Sequence, residues 1–124
     1  VLLPLLGVDA AVVLTAVADG ALSDAAVAWE DAHTACVVLA APGYPGEPTR
    51  GVPIRLPAGL PDGVMLFHSG TAGAPLVSAG GRVLNVVARG ASLAAAIEAA
   101  YRVVDTIDFP GAVVRRDIGS GFTR

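Results

Sequence analysis

The chain has 124 residues, of which 54% are hydrophobic and only 5% aromatic, and its formal net charge is −3. This length suffices for one core of small aliphatic side chains. The acidic balance, with arginine as the only strong base, argues against a nucleic-acid-binding surface, and no apolar stretch approaches the about 20 residues of a membrane span.

The beginning of the chain and its single cysteine bear on where the protein acts. Cys36 lies in an apolar run, so we expect a core thiol and no intramolecular disulfide. No basic segment precedes an apolar one at the start, which argues against a signal peptide. Both features are typical of a cytoplasmic protein. Residues 1–6 are apolar, follow no initiator methionine and would need a partner surface, so we expect a fragment of a longer protein.

Two short helices are predicted first. Asp9 can cap a helix that runs to about residue 18, with Gly20 as its end. Because this helix is apolar nearly all round, we predict burial on several of its sides. Ser23 can cap a second helix of one or two turns that ends near Trp29 or Glu30.

Apolar runs separated by proline and glycine predict strands next. Residues 34–41 form an apolar run that is typical of a strand buried on both faces. Repeated Pro and Gly make residues 42–63 a loop, with a short strand over residues 52–56. Residues 64–68 form the next predicted strand.

A turn and a hairpin complete the predicted strands. Residues 69–75 are predicted as a turn and residues 76–78 as a short strand. Because Gly80 and Gly81 favour a tight turn, residues 82–88 are predicted to return as the hairpin partner of residues 76–78.

The clearest helix begins after Ser92, a good capping residue. Apolar residues recur at spacings of four and three up to Ile107, which places one apolar stripe along a helix that ends near Asp108. A last short strand is predicted over residues 112–115. This order of elements indicates an α+β fold, with a small antiparallel or mixed sheet and a long helix packed on it.

The sequence contains no self-contained catalytic motif: it lacks a Walker loop, a cysteine pair for zinc and a His-Glu-x-x-His sequence. We therefore assign no catalytic and no metal-binding residue. His68 ends a strand and has the chemistry of a general base, but a local structural role is the more common one. His33 is expected in a polar surface turn, and Asp105 and Asp108 are expected to face solvent.

Four polar side chains are candidates for binding an anion or bordering a cleft. Tyr44 and Arg50 lie on the proline-stiffened loop. Either this loop borders a substrate site, where Arg50 can pair with an anion, or it is only a surface loop. Arg82 follows a double glycine, and Arg115 stands at the end of the last predicted strand, before Arg116 and Asp117. A planar guanidinium offers paired donors to a phosphate, and the equal alternative is that Arg116 and Asp117 are solvated or pair with neighbours.

Taken in chain order, several segments resemble the C-terminal region of the phosphoribosylamine–glycine ligase family. These segments are Ala35-Cys36-Val37-Val38-Leu39-Ala40-Ala41, Gly43-Tyr44-Pro45-Gly46, Leu66-Phe67-His68-Ser69-Gly70-Thr71, Gly80-Gly81-Arg82-Val83-Leu84-Asn85-Val86, residues 95–101 and Arg115-Arg116-Asp117-Ile118-Gly119. Each segment is short, but their number, order and spacing make the resemblance specific. The end departs from it, since the family usually has a tryptophan soon after Asp-Ile-Gly and residues 120–124 contain none.

The resemblance implies an ATP-grasp ligase of purine biosynthesis that joins glycine to phosphoribosylamine through a glycyl phosphate, with ATP and magnesium. It implies that residues 1–30 are the last helices of the ATP-grasp domain and that residues 31–124 are the C-terminal domain. The partners would be the N-terminal and ATP-grasp domains, which carry the nucleotide and metal sites. The chain alone is then expected to bind neither ATP nor magnesium and to be inactive.

The resemblance also gives the candidate residues a role. Arg82, and less directly Arg115, are expected to neutralise the phosphate of phosphoribosylamine. Gly80 and Gly81 would let the backbone come close to it, while Tyr44 and Arg50 would border the cleft. Two alternatives stay open: an independent, non-catalytic binding module with this fold, and a purely structural domain.

Overall fold

A four-stranded antiparallel sheet carries one long helix on one of its faces. The structure is a computed structural model that describes residues 1–23 and 27–122. The sheet consists of β1 (His33–Ala40), β2 (Val64–His68), β5 (Arg82–Gly90) and β6 (Val113–Val114), in the order β2-β5-β1-β6. A separate two-stranded sheet pairs β3 (Thr71–Ala72) with β4 (Val77–Ser78). The α+β prediction is confirmed.

The core lies between this sheet and helix α2 (Leu93–Val104). Val37 and Leu39 of β1 stand opposite Val86 and Leu84 of β5, and all four are fully buried or nearly so. The other face of β1 is only half-buried, as at Cys36. We call it the open face. The prediction that β1 is buried on both faces is therefore wrong, because α2 covers one side of the sheet, while residues 1–4 and side chains such as Tyr44 and Ile118 cover the other side only in part.

Helix α2 begins as predicted and ends earlier. The Ser92 side chain accepts a hydrogen bond from the Ala95 amide at 3.2 Å, which satisfies one of the free donors of the first turn. The helix ends at Val104 instead of Asp108. Its apolar pattern continues because Ile107 still packs on the core, but the backbone of Asp108 already pairs with that of Arg55.

The strand predictions between residues 52 and 88 need correction. Residues 52–56 form no regular strand, since Pro53 lacks an amide donor and only isolated pairings occur, at Pro53 and at Arg55. The predicted turn at residues 69–75 contains β3, which takes β4 as its partner. The predicted hairpin of β4 with β5 is therefore wrong. With nine residues, β5 instead pairs with the two longer strands β1 and β2.

The N-terminal part forms helix α1 (Ala10–Ala18), and Asp9 caps it by accepting from the Ala11 amide at 2.8 Å. None of its residues is buried in this chain, and Leu14 is 65% exposed, so the predicted burial does not occur within the described residues. The predicted helix after Ser23 lies partly on residues 24–26, outside the described residues. Its predicted end near Trp29 is wrong, because residues 27–30 are not helical and Trp29 pairs with Leu6. Among the described helices, none is long and apolar enough to cross a membrane.

Candidate functional site

A hollow of about 660 Å³ opens where β5 begins, and its lining is mainly polar. We call it the polar hollow. Its lining residues are Tyr44, Ser69, Gly80, Gly81, Arg82 and Asn85. Four of the six sequence candidates thus lie together, although they come from a loop, a turn and a strand. Ser69 and Asn85 were not predicted.

A β-bulge turns Arg82 toward this hollow. Along β5, Leu84 pairs with Leu39, but Arg82 pairs with Ala40, so Val83 is an extra residue in the ladder. An extra residue changes the alternation of side chains between the two faces of a sheet. Arg82 and Asn85, three positions apart, therefore line the same hollow.

The double glycine allows close packing at the edge of the hollow. A Cβ atom at Gly81 would lie 3.0 Å from Cδ2 of Tyr44, so glycine lets the tyrosine ring pack against this turn without a shift of the ring. Gly80 in turn packs against Gly70. A Cβ atom added to Gly70 would lie 3.1 Å from the Cα atom of Gly80. The glycines therefore fix the turn that precedes Arg82. An approach of their backbone to a substrate stays a prediction.

Arg82 differs from most other arginines in having no carboxylate within ion-pair distance among the described residues. The described pairs are Arg55–Asp108, Arg89–Glu30, Arg102–Glu98, Arg115–Asp117 and Arg116–Asp105. Because its side chain is exposed at the hollow, the Arg82 guanidinium is available to an anion. Arg50 also has no carboxylate within ion-pair distance among the described residues. It lines neither the polar hollow nor the adjoining hollow described next.

A smaller hollow of about 210 Å³ adjoins the first and shares Tyr44 and Arg82 with it. We call it the apolar hollow. Arg115 lines it, but the Arg115 guanidinium donates to both oxygens of Asp117, at 2.9 and 2.6 Å. This hydrogen-bonded ion pair raises the pKa of Arg115 and lowers the pKa of Asp117. Asp117 thus pairs with a neighbour, which is one of the alternatives left open for this terminal segment.

Tyr101 of α2 fixes the segment that carries Arg115, and the sequence reasoning missed it. Its hydroxyl donates to the Arg115 carbonyl at 2.7 Å and accepts from the Ile118 amide at 3.1 Å. Arg116 lies over the Tyr101 ring, 5.6 Å from its centroid, and donates to Asp105 at 2.6 Å. Asp105 is exposed, as predicted, but it is also paired.

The remaining candidates have local roles. The Nδ1 atom of His68 lies 2.9 Å from the Thr71 hydroxyl, which supports the structural interpretation. His33 is exposed, but it begins β1 instead of lying in a turn. Cys36 is half-buried on the open face and not in the core, and burial raises the pKa of its thiol. Within residues 1–23 and 27–122, no three His, Cys, Asp or Glu side chains cluster as metal ligands.

The Arg115–Asp117 pair makes a testable prediction about pH. Since the pKa of Asp117 is lowered in the folded chain, its contribution to stability is present at neutral pH and is lost as the pH falls through that pKa. We expect Arg115→Ala to raise the pKa of Asp117 toward the ordinary aspartate value, as measured by carboxyl ¹³C NMR titration. Arg102→Ala, which removes an arginine on α2, should leave it unchanged. An equal effect of both substitutions would contradict the pairing.

Comparisons with known proteins agree on one family. Residues 34–121 match the family described as the C domain of phosphoribosylglycinamide synthetase. The chain is 46% identical over 114 residues to a phosphoribosylamine–glycine ligase of Mesorhizobium japonicum, covering 90% of the chain and 27% of that ligase. It is 46% identical over 121 residues to the phosphoribosylamine–glycine ligase of Corynebacterium ammoniagenes, which covers 95% of the chain and 28% of that ligase. The chain thus spans about a quarter of these relatives.

A human protein and a crystal structure extend the comparison. The trifunctional purine biosynthetic protein adenosine-3 of Homo sapiens is 41% identical over 126 residues, which cover 96% of the chain and 12% of that protein. The crystal structure of phosphoribosylamine–glycine ligase from Thermotoga maritima superposes with a TM-score of 0.68 at 36% identity, over 74% of the chain and 23% of that structure. These relatives do not favour the alternative of an independent binding module.

Proposed function

Because this chain belongs to the family of phosphoribosylglycinamide synthetase C domains, we propose that it is the C-terminal domain of a phosphoribosylamine–glycine ligase. In this proposal, residues 31–124 form that domain and residues 1–30 are the end of the preceding ATP-grasp domain. The family match over residues 34–121 supports this division. So does the exposure of α1, whose apolar side chains have no covering surface in the described chain.

The proposed role of the domain is to bind the phosphate of phosphoribosylamine in the polar hollow. The observation that carries this role is the position of Arg82, whose guanidinium lines the hollow and has no carboxylate partner among the described residues. A guanidinium donates two parallel hydrogen bonds to a phosphate. The charge of Arg115 is already paired with Asp117, so we give Arg115 only a secondary role at the edge of the site.

The chemistry of the whole ligase would be divided between domains. We propose that ATP and magnesium bind to the preceding domains, where a glycyl phosphate forms, in the cytoplasm. An acyl phosphate hydrolyses unless water is excluded from it. A domain that binds the sugar phosphate and closes over the site brings the amine to the acyl phosphate and keeps water out.

A fusion protein tests this function. We would join the chain to the preceding part of the Mesorhizobium japonicum ligase, in place of the segment that it matches at 46% identity. We expect the fusion to form glycinamide ribonucleotide from phosphoribosylamine, glycine and ATP. The isolated chain and the truncated ligase should each form none. A folded fusion without activity, or product formed by the chain alone, would contradict the proposal.

A further inference from the structure

Two polar side chains of the polar hollow have no part in binding the phosphate as described above. Asn85 lies at the centre of the sheet, where Val38 and Phe67 are its neighbours on the two adjacent strands. Ser69 follows the end of β2, and the Asn85 side-chain amide donates a hydrogen bond to its hydroxyl oxygen. Val87, the next open-face residue along β5, is apolar and buried.

The hydrogen bond between the two side chains leaves specific groups for a ligand. The Ser69 oxygen accepts from Asn85, so its own hydrogen is available to donate. Asn85 keeps its carbonyl oxygen and one amide hydrogen, and within residues 1–23 and 27–122 no other side chain bonds to either residue. The pair thus offers two donors, and both the Asn85 carbonyl oxygen and the second lone pair of the Ser69 oxygen can accept. This set suits hydroxyl groups, which both donate and accept.

The spacing along β5 places this pair at a suitable distance from Arg82. Three residues of strand correspond to roughly 10 Å between the Cα atoms of Arg82 and Asn85. Both side chains point into the same hollow of about 660 Å³. A ligand with an anionic group at one end and hydroxyl groups at the other can therefore contact Arg82 and the Ser69–Asn85 pair at once.

We propose that Ser69 and Asn85 bind the ribose hydroxyl groups of a pentose 5-phosphate whose phosphate is bound by Arg82. The inference rests on the proposed function, which places a phosphate at Arg82. It adds that the hollow distinguishes a sugar phosphate from inorganic phosphate. Ser69 and Asn85 are then specificity residues, and Arg82 supplies the charge.

The test uses the 124-residue chain and three probes: ribose 5-phosphate, 2-deoxyribose 5-phosphate and inorganic phosphate. Dissociation constants are measured by ¹⁵N NMR titration. We expect ribose 5-phosphate to bind about tenfold more tightly than inorganic phosphate, because two hydrogen bonds of ordinary strength give a factor of this order. The deoxy sugar should fall between the two if the 2-hydroxyl is one of the groups bound.

Substitutions assign the preference to the pair. Ser69→Ala and Asn85→Ala should each reduce the affinity for ribose 5-phosphate about threefold and leave that for inorganic phosphate unchanged. Thr15→Ala, which removes an exposed hydroxyl on α1, should change neither. Equal binding of ribose 5-phosphate and inorganic phosphate would overturn the sugar-binding role, as would a preference that survives both substitutions or no binding at all. The ligase assignment would be judged separately, by the activity of the fusion.

Discussion

Arg82→Ala is expected to raise the Michaelis constant for phosphoribosylamine about tenfold to a hundredfold in the fused ligase. Hydrogen bonds to charged groups contribute roughly 1.5–3 kcal/mol each, and Arg82 is the guanidinium in the polar hollow without a carboxylate partner among the described residues. The Michaelis constant for ATP should stay within about twofold, since the nucleotide is proposed to bind to the preceding domains. Steady-state kinetics with each substrate varied in turn measures both.

Two further variants separate charge from geometry. Arg82→Lys keeps the positive charge but loses the paired donors, so it should recover only part of the affinity. Arg102→Ala removes the same charge from α2, on the opposite side of the sheet, and should have no effect. Unchanged kinetics in Arg82→Ala, or equal losses in Arg82→Ala and Arg102→Ala, would contradict a phosphate site at Arg82.

Gly70→Ala is expected to destabilise the chain by roughly 1–3 kcal/mol, the usual cost of adding a methyl group where there is no room. A Cβ atom at Gly70 would lie 2.5 Å from the Arg82 carbonyl oxygen and 3.1 Å from the Gly80 Cα. Both contacts are with backbone, so the turn before Arg82 would have to move. We therefore expect a lower urea midpoint together with weaker binding of phosphate.

Gly59→Ala is the matched control. Its added Cβ atom would meet nothing within 4 Å, while the entropy of the unfolded chain falls as it does for Gly70→Ala. Its effect should be neutral or stabilising by up to about 1 kcal/mol. If the two substitutions had the same effect on the urea midpoint, the packing of Gly70 against Gly80 and Arg82 would not matter for stability.

Local patterns in the sequence predicted the elements that local chemistry decides. Asp9 and Ser92 were identified as caps because their short side chains accept from a nearby amide. Strand β2 has the bounds that its apolar run indicates. The pairing of strands was harder to predict. β4 was assigned to the next predicted strand along the chain, because its real partner β3 is too short to be recognised as a strand.

The candidate site was predicted in its residue types more than in its geometry. Arg82 was chosen for its charge and the glycines before it, but its orientation depends on the bulge at Val83, which no periodic pattern indicates. Asn85 was passed over, although an amide within an apolar strand was a usable signal. Arg115 was chosen for its charge, and only the fold reveals that Tyr101 and Asp117 hold it.

Tyr101 of α2 contacts the chain after β6 at two points. Its hydroxyl accepts from the Ile118 amide and donates to the Arg115 carbonyl, and the Arg116–Asp105 pair is a further contact with the end of α2. We expect so short a segment to open locally at a lower free energy than global unfolding. Local opening of this segment would remove Arg115 from the apolar hollow without disturbing the strands that hold Arg82. We therefore expect the backbone amides near Arg115 to exchange faster than those near Arg82.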